Sequence, residues 1–490
     1  MKGVSFFLGM ISALWASVSP SFAEQETSRT NWRNGAPLLL EDVLSASVIH
    51  YPKILETMAN ERVAAGNALR AVGAFDTIFT ATGQSRLSGY YDGTTFDAGL
   101  TKRLRPLNAK VYSGWRVSRG EFPLYEDDSY TNRLGEAKIG VALSLLRDRA
   151  IDADRLKLID ASLGVTAAEI DALMARIAVQ HSAISAYWGW VAAGRQLEIY
   201  ENLLKIAEAR QSGLEEQVRK GARARIYLTE NAQNITRRQI LAAQAQRALE
   251  QATNSLSLYY RDEFGTPIIA QRNSLPNQAE IVEPAPRSDM TRSETSPMIA
   301  DRRPEVSAIL NELARAQAAL KTAENELQPR LDLQYEISND FGAIAAGGPT
   351  RDGVDNVVGF RFSAPFGRTT ARGMREKARA EIDALLQRER LTREQIAVEI
   401  ENIRLERDVA RQLAALATKE VEQSKILEEA ERKRFASGAS DFFLVNLREE
   451  TAADAELKLV DADLARRRAQ AALDAATMNL AGLGLTEADG

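Results

Sequence analysis

Between Met374 and Ser437 the sequence runs without a single Pro or Gly. Apolar residues recur along it: Ile382, Leu386, Ile396, Ile400, Ile403, Leu413, Leu416, Val421 and Leu427. Steps of three or four put them on one side of a helix. An arm of roughly 65 residues, at about 1.5 Å per residue, is on the order of 100 Å long. No ordinary globular core calls for such a rod, so the chain must span something. The break is Phe435-Ala436-Ser437-Gly438-Ala439-Ser440-Asp441-Phe442. Gly438 suits the left-handed backbone that ends a helix, and Ser440 or Asp441 can cap the next one. A second helical stretch then runs to about Leu480.

A comparable arm runs from about Ile151 to Arg219. Its apolar series are Ile170, Leu173, Ile177, Ile184, Trp188, Val191 and then Leu197, Tyr200, Leu204, Ala207, Leu214, Val218. Gly164-Val165-Thr166 is a candidate bend. The arm ends at Val218-Arg219-Lys220-Gly221-Ala222, and a return helix reaches about Arg261.

Elsewhere the period changes from helical to alternating. Leu331, Leu333, Tyr335, Ile337 and Phe341 alternate with polar residues. A turn follows over Gly342 to Gly353, and then Val358, Phe360, Phe362 and Ala364 alternate again. Two strands of about 10 residues with one apolar and one charged face fit a transmembrane barrel hairpin. A half-buried soluble hairpin has the same alternation. Thr77 to Arg147 holds further strand candidates at Phe79–Tyr91, Leu100–Arg105, Lys110–Arg119 and Lys138–Leu145. The inner pair is either an added hairpin or a folded surface loop. Tyr90, Tyr91, Tyr112 and Trp115 are candidate interfacial aromatics.

Two segments repeat. At an offset of 252, Pro52 falls on Pro304, Ala64 on Ala316, Ala71 on Ala323 and Phe75 on Leu327. At an offset of 217, Gly221 falls on Gly438. The difference equals the length of the extra strand excursion, as an internal twofold repeat requires. The expected organisation is a signal peptide at 1–23, a first repeat at 24–261 and a Pro-rich linker or strap at 262–302. A second repeat at 303–482 and a tail at 483–490 complete it. Each repeat is expected to supply one continuous rod and one rod spliced from two shorter helices. The splices are expected to join 222–261 with 305–328, and 442–482 with 38–75.

Met1 to Ala23 has the form of an export signal: Lys2, an uncharged apolar run from Val4 to Val18, and Ser21-Phe22-Ala23 for cleavage. The chain has no Cys, which excludes disulfides, thiolate metal sites and a Cys nucleophile. No later apolar run approaches the ~20 residues of a membrane helix, so a membrane role would use strands. The net charge of −5, with both signs interspersed, argues against nucleic acid as partner. His50 and His181 are the only histidines, and with no Cys no dedicated transition-metal site is expected; His181 lies in the apolar series and is read as packing. Glu428-Glu429 and Glu449-Glu450 are read as exposed helical faces. No phosphate loop, nucleophile elbow or triad is present, so no enzyme and no cofactor are expected.

This constellation resembles the TolC family of outer-membrane efflux and secretion channels. The resemblance covers nearly the whole mature chain. It rests on the helix–strand–strand–helix repeat, the Pro-led helices at Pro52 and Pro304, and Gln328-Pro329-Arg330-Leu331 entering a strand. Ala364-Pro365-Phe366-Gly367 leaving a strand and the turn Arg434-Phe435-Ala436-Ser437-Gly438 complete it. It implies a mainly α fold with a membrane β-barrel portion: a long periplasmic helical barrel and a trimeric twelve-stranded outer-membrane barrel, four strands from each subunit. It also implies an exit duct for a tripartite pump or type I secretion system. Its partners would be two further copies of itself, outer-membrane lipid, a periplasmic adaptor (membrane fusion) protein and an inner-membrane pump.

By the same resemblance, Arg219, Lys220, Gly221, Ala222, Phe435, Ala436, Ser437, Gly438, Ala439 and Ser440 would meet the adaptor. Arg223, Arg225, Asp441, Leu444 and Leu447 would form the periplasmic gate. Family members often carry two Asp shortly after the turn Gly; here Leu444 and Leu447 stand at those places. Asp441 is expected to pair with Arg223 or Arg225. The alternative function is a coiled-coil structural protein of the envelope without a pore.

Overall fold

The computed structural model describes residues 36–123, 129–277, 296–345 and 351–485. The expected signal peptide, the centre of the Pro-rich linker, part of the Gly342–Gly353 turn and the last residues of the tail lie outside them. Eight α-helices and six strands make up the described portion. In chain order they are α1 (Leu40–His50), α2 (Pro52–Val72), β1 (Thr77–Arg86), β2 (Gly93–Arg103), β3 (Lys110–Gly120) and β4 (Gly135–Ser144). Then come α3 (Ala153–Arg219), α4 (Ile226–Ser257), α5 (Ser296–Arg302), α6 (Pro304–Glu326), β5 (Arg330–Phe341), β6 (Val354–Ser363), α7 (Thr369–Ala436) and α8 (Phe442–Ala476).

Both expected rods form. The α3 helix has 67 residues and α7 has 68, each about 100 Å long. The Gly164-Val165-Thr166 stretch lies inside continuous helix, because packing outweighs the ~1 kcal/mol penalty of one Gly. The amide of Asn311 on α6 donates to the Leu163 carbonyl there at 3.0 Å. Pro52 and Pro304 each open a helix at the first position. The residues before them, Tyr51 and Arg303, are extended because the Pro ring excludes α backbone from its predecessor.

The splices differ from expectation. The α3 helix packs on α4, α2, α8 and α6, and of these α8 and α6 also pack on α7. At the first junction the Tyr51 ring, leading into α2, stacks on Tyr259 just past α4, with centroids 5.3 Å apart. At the second, Arg303 Nη1 donates to the carbonyl of Ala476, the last residue of α8, at 3.0 Å. So α4 continues into α2, and α8 into α6. The choice of partner is set by contacts between residues far apart in sequence, which helix length alone does not reveal.

The main core gathers at these junctions. Trp190, Leu197, Tyr187 and Ile184 of α3 pack with Val43 and Leu44 of α1, Leu249 and Leu256 of α4, and Leu483. Part of the expected linker lies against it as a strap. Leu275 sits where a side chain on Gly194 would go, Arg195 donates to the Pro276 carbonyl at 2.6 Å, and Arg272 pairs with Glu201.

The strands form one antiparallel sheet in the order β1-β2-β3-β4-β5-β6. It holds six strands, where the resemblance implied four. The inner pair is an added hairpin inside the sheet, paired from Gly93↔Gly120 to Arg103↔Lys110. Gly, Thr and Asp in β2 gave little strand signal, and ladder pairing on both sides overrides that local preference. Among the described residues no helix is long and apolar enough to cross a membrane.

Candidate functional site

Two regions carry unusual chemistry: the two faces of the sheet and the paired helix tips.

Side chains alternate across a strand, and the register determines which share a face. One face collects Phe79, Phe96, Leu100, Trp115, Ile139, Leu333, Tyr335, Ile337, Val358, Phe360 and Phe362. Much of it is bare: Phe360 is 79% exposed, Val358 70% and Phe79 65%. Trp115 stacks on Phe341 with centroids 5.6 Å apart. The other face carries Asp97, Arg116, Tyr112, Lys138, Glu336, Asp332 and Arg361. There Arg116 Nε lies 2.6 Å from Asp97 Oδ1, and Tyr112 donates to Glu336 at 2.6 Å. Gly140 leaves the room for the Tyr112 ring to cross β4. Of the four aromatics singled out, only Trp115 is on the apolar face. Tyr112 is on the charged face, and Tyr90 and Tyr91 are in the β1–β2 turn.

The tips at the other end of the rods share one construction. In each, an amide bonds back five residues and its predecessor back three: Ala222 to Gln217 and Gly221 to Val218, Ala439 to Arg434 and Gly438 to Phe435. This is the Schellman closure, which needs a left-handed residue before its last amide. Gly221 and Gly438 supply it at φ +72° and +77°. Asp441 caps α8 by accepting from the Leu444 amide at 2.7 Å, while Ser440 donates to Glu431. No side chain caps α4.

Arg223 does not meet Asp441 within the chain. Its guanidinium lies 4.5 Å from the Phe435 ring centre and 5.4 Å from that of Tyr227, so it ties one tip to the other by cation–π contact. Arg219, Lys220, Arg225, Ala436, Ser437 and Ala439 are exposed, as are Phe443 and Leu447; Leu444 is half-buried. Behind the tips Phe442 packs against Tyr227 and Phe435, and Arg210 lies 5.6 Å over the Phe442 ring.

About two turns deeper is a node the sequence reading placed on an exposed face. Glu449 is 1% exposed. It pairs with Arg210 of α3 and, at 3.1 Å, with Arg238 of α4, while Arg432 of α7 approaches to 3.9 Å. Arg210 also donates to Asn446, and Arg238 to the Leu203 carbonyl. Glu428, also read as exposed, is half-buried beside Arg432; burial pushes its carboxyl up, partly offset by that guanidinium. The missed signal was the heptad register. Asn231, Arg238 and Ala245 recur every seven residues on α4, as do Phe442 and Glu449 on α8.

His181 is half-buried on α3, where desolvation lowers its pKa, as suits packing. Among the described residues no group of three His, Asp or Glu could hold a metal.

No family model matches the chain, and none of the curated proteins matches it. Solved structures do. The Neisseria gonorrhoeae MtrE outer membrane channel in its open state aligns with a TM-score of 0.63 at 17% identity, over 91% of this chain and 89% of that one. The Campylobacter jejuni CmeC outer membrane channel aligns at 0.62 and 15%, over 93% and 91%. VceC, an outer membrane protein of Vibrio cholerae, aligns at 0.61 and 15%, over 89% and 95%.

Proposed function

Since the chain has the fold of the TolC-like outer-membrane channels, we propose that it is a passive exit duct across the periplasm and outer membrane. The observation that carries this is the sheet. Its strands have 10 to 12 residues, the length that crosses a bilayer at a tilt. One face is apolar and bare, the other charged, and both edges are open. In lipid an open edge leaves backbone groups unpaired at several kcal/mol each, so copies must close each other's edges. A homotrimer built on an internal repeat, exported by a cleaved signal, fits this requirement. A rod-like envelope protein without a pore has no use for such a sheet.

On this reading the duct serves a tripartite pump or a type I system, with an adaptor and an inner-membrane pump. The turns Arg219–Ala222 and Phe435–Ser440 meet the adaptor. Arg223, Arg225, Asp441, Leu444 and Leu447 surround the mouth, and the Arg223–Phe435 contact holds the two tips of one subunit together.

The expected result is a protein of the outer-membrane fraction that resists SDS until heated and conducts ions in a planar bilayer. Charge reversal at Arg223 and Arg225 should change conductance and ion selectivity. A soluble periplasmic protein without conductance would overturn the reading.

A further inference from the structure

We propose that the β2–β3 hairpin is part of the barrel wall, so that three copies close an eighteen-stranded barrel, β1 of each pairing with β6 of the next. The inference rests on the trimeric channel reading above. Three independent features of the hairpin support it.

First, it is paired on both sides. β2 is bonded to β1 along ten residue pairs from Thr77↔Lys102 to Arg86↔Gly93, and β3 is bonded to β4 from Lys110↔Ala142 to Arg116↔Glu136. Removing the hairpin would leave β1 and β4 facing each other across a gap two strands wide. Second, its faces match those of the flanking strands. Phe96, Ala98, Leu100, Val111, Trp115 and Val117 continue the apolar face. The Asp97–Arg116 pair continues the charged one. A hairpin folded over the outer surface in water would gain nothing from an unpartnered apolar band in register with its neighbours. Third, its lower turn is fastened at the base of the sheet. Arg103 bonds Asp154 at the start of α3 and donates to Asn108 at 3.0 Å; Arg155 of α3 donates to the Arg105 carbonyl at 3.3 Å. The hairpin therefore begins at the level where the other strands begin.

Barrel diameter grows roughly linearly with strand number, so eighteen strands give an opening about half again as wide as twelve. The hairpin is inserted between β1 and β4 and adds no residue to the helical rods. The added width lies at the outer opening alone, where it admits bulkier solutes from the outside than a twelve-stranded wall would.

Electron cryomicroscopy of the full protein in lipid nanodiscs tests this by counting strands. Eighteen around one pore is expected; a conducting trimer with twelve and the hairpin outside the wall would overturn this inference while leaving the channel reading intact. A non-trimeric or non-conducting particle would instead overturn the channel reading. The absence of Cys allows a second measurement. Spin labels on Phe96→Cys, Leu100→Cys and Trp115→Cys should be accessible to lipid-dissolved oxygen and shielded from an aqueous nickel chelate. Labels on Asp97→Cys and Arg116→Cys should show the opposite. Chelate access at all five would overturn the proposal.

Discussion

Glu449 carries its charge into a seam that excludes water. A buried ion pair is costly to desolvate, and its geometry must compensate; here two guanidiniums from two other helices share the carboxylate. Removing the acid leaves Arg238, itself 1% exposed, without its anion. Glu449→Ala should therefore cost about 3–5 kcal/mol, read as a fall in the denaturant midpoint at unchanged slope. An effect below about 1 kcal/mol, the level of a surface pair, would return Glu449 to the exposed face the sequence suggested. The tip glycines need no space, since nothing lies within 4 Å of a Cβ at Gly221 or Gly438. Their requirement is purely conformational. Gly438→Ala should cost about 1–2 kcal/mol, the strain of a left-handed residue, in the same measurement.

At the scale of elements, the junctions differ in chemistry. The α4–α2 junction is aromatic, and the α8–α6 junction is ionic, with Arg303 held between Glu305 at 2.8 Å and Glu399 at 3.3 Å. Burial pushes the Glu305 carboxyl up, but the Arg303 hydrogen bond and charge outweigh it and hold it below its ordinary 4.5. A carboxyl depressed on folding adds stability above its unfolded pKa and loses it as pH falls through the folded one. Wild type should thus exceed Glu305→Gln in thermal stability at neutral pH, and the gap should close on acidification below about 4.5. A gap unchanged down to pH 3 would mean that the pair contributes nothing. The rods were legible from their apolar series, in α7 also from the missing Pro and Gly, and the tips from Gly221 and Gly438. The splice partners were not. Helix lengths alone fit either combination, and the choice rests on contacts such as Tyr51–Tyr259 between residues far apart in sequence.

For the whole molecule, alternation revealed β5 and β6, and the candidates at Phe79–Tyr91, Lys110–Arg119 and Lys138–Leu145 fall on β1, β3 and β4; whether the inner pair joins the sheet was not legible. Val358, Phe360 and Phe362 declare a strand by themselves, whereas Thr94, Thr95 and Gly99 form one only because Arg119, Ser118 and Gly114 lie opposite. The two turns at Gly221 and Gly438 were legible from the glycines and the Arg and Ser around them. The node behind them was not, because a charged residue in a heptad seam looks like any surface charge until its partners on other helices are known.

The register of β4 on β5 has a bearing on how the chain folds. Gly135 pairs with Phe341 and Ser144 with Asp332, so these strands bracket α3, α4, the strap and α6. Closing a flexible loop of roughly 190 residues costs entropy that rises only logarithmically with length, but the search is slow because the contact is remote in sequence. Strands β1 to β4 can zip up as a local meander and β5 with β6 as a local hairpin; joining the two must wait for the helical arm to fold back on itself. Contacts such as Asn311 with Leu163 then act as the ruler that brings the two strands to the same height. On this order of events the β4–β5 seam is the last pairing of the sheet to form, and the two halves of the sheet become one only after the arm between them has folded.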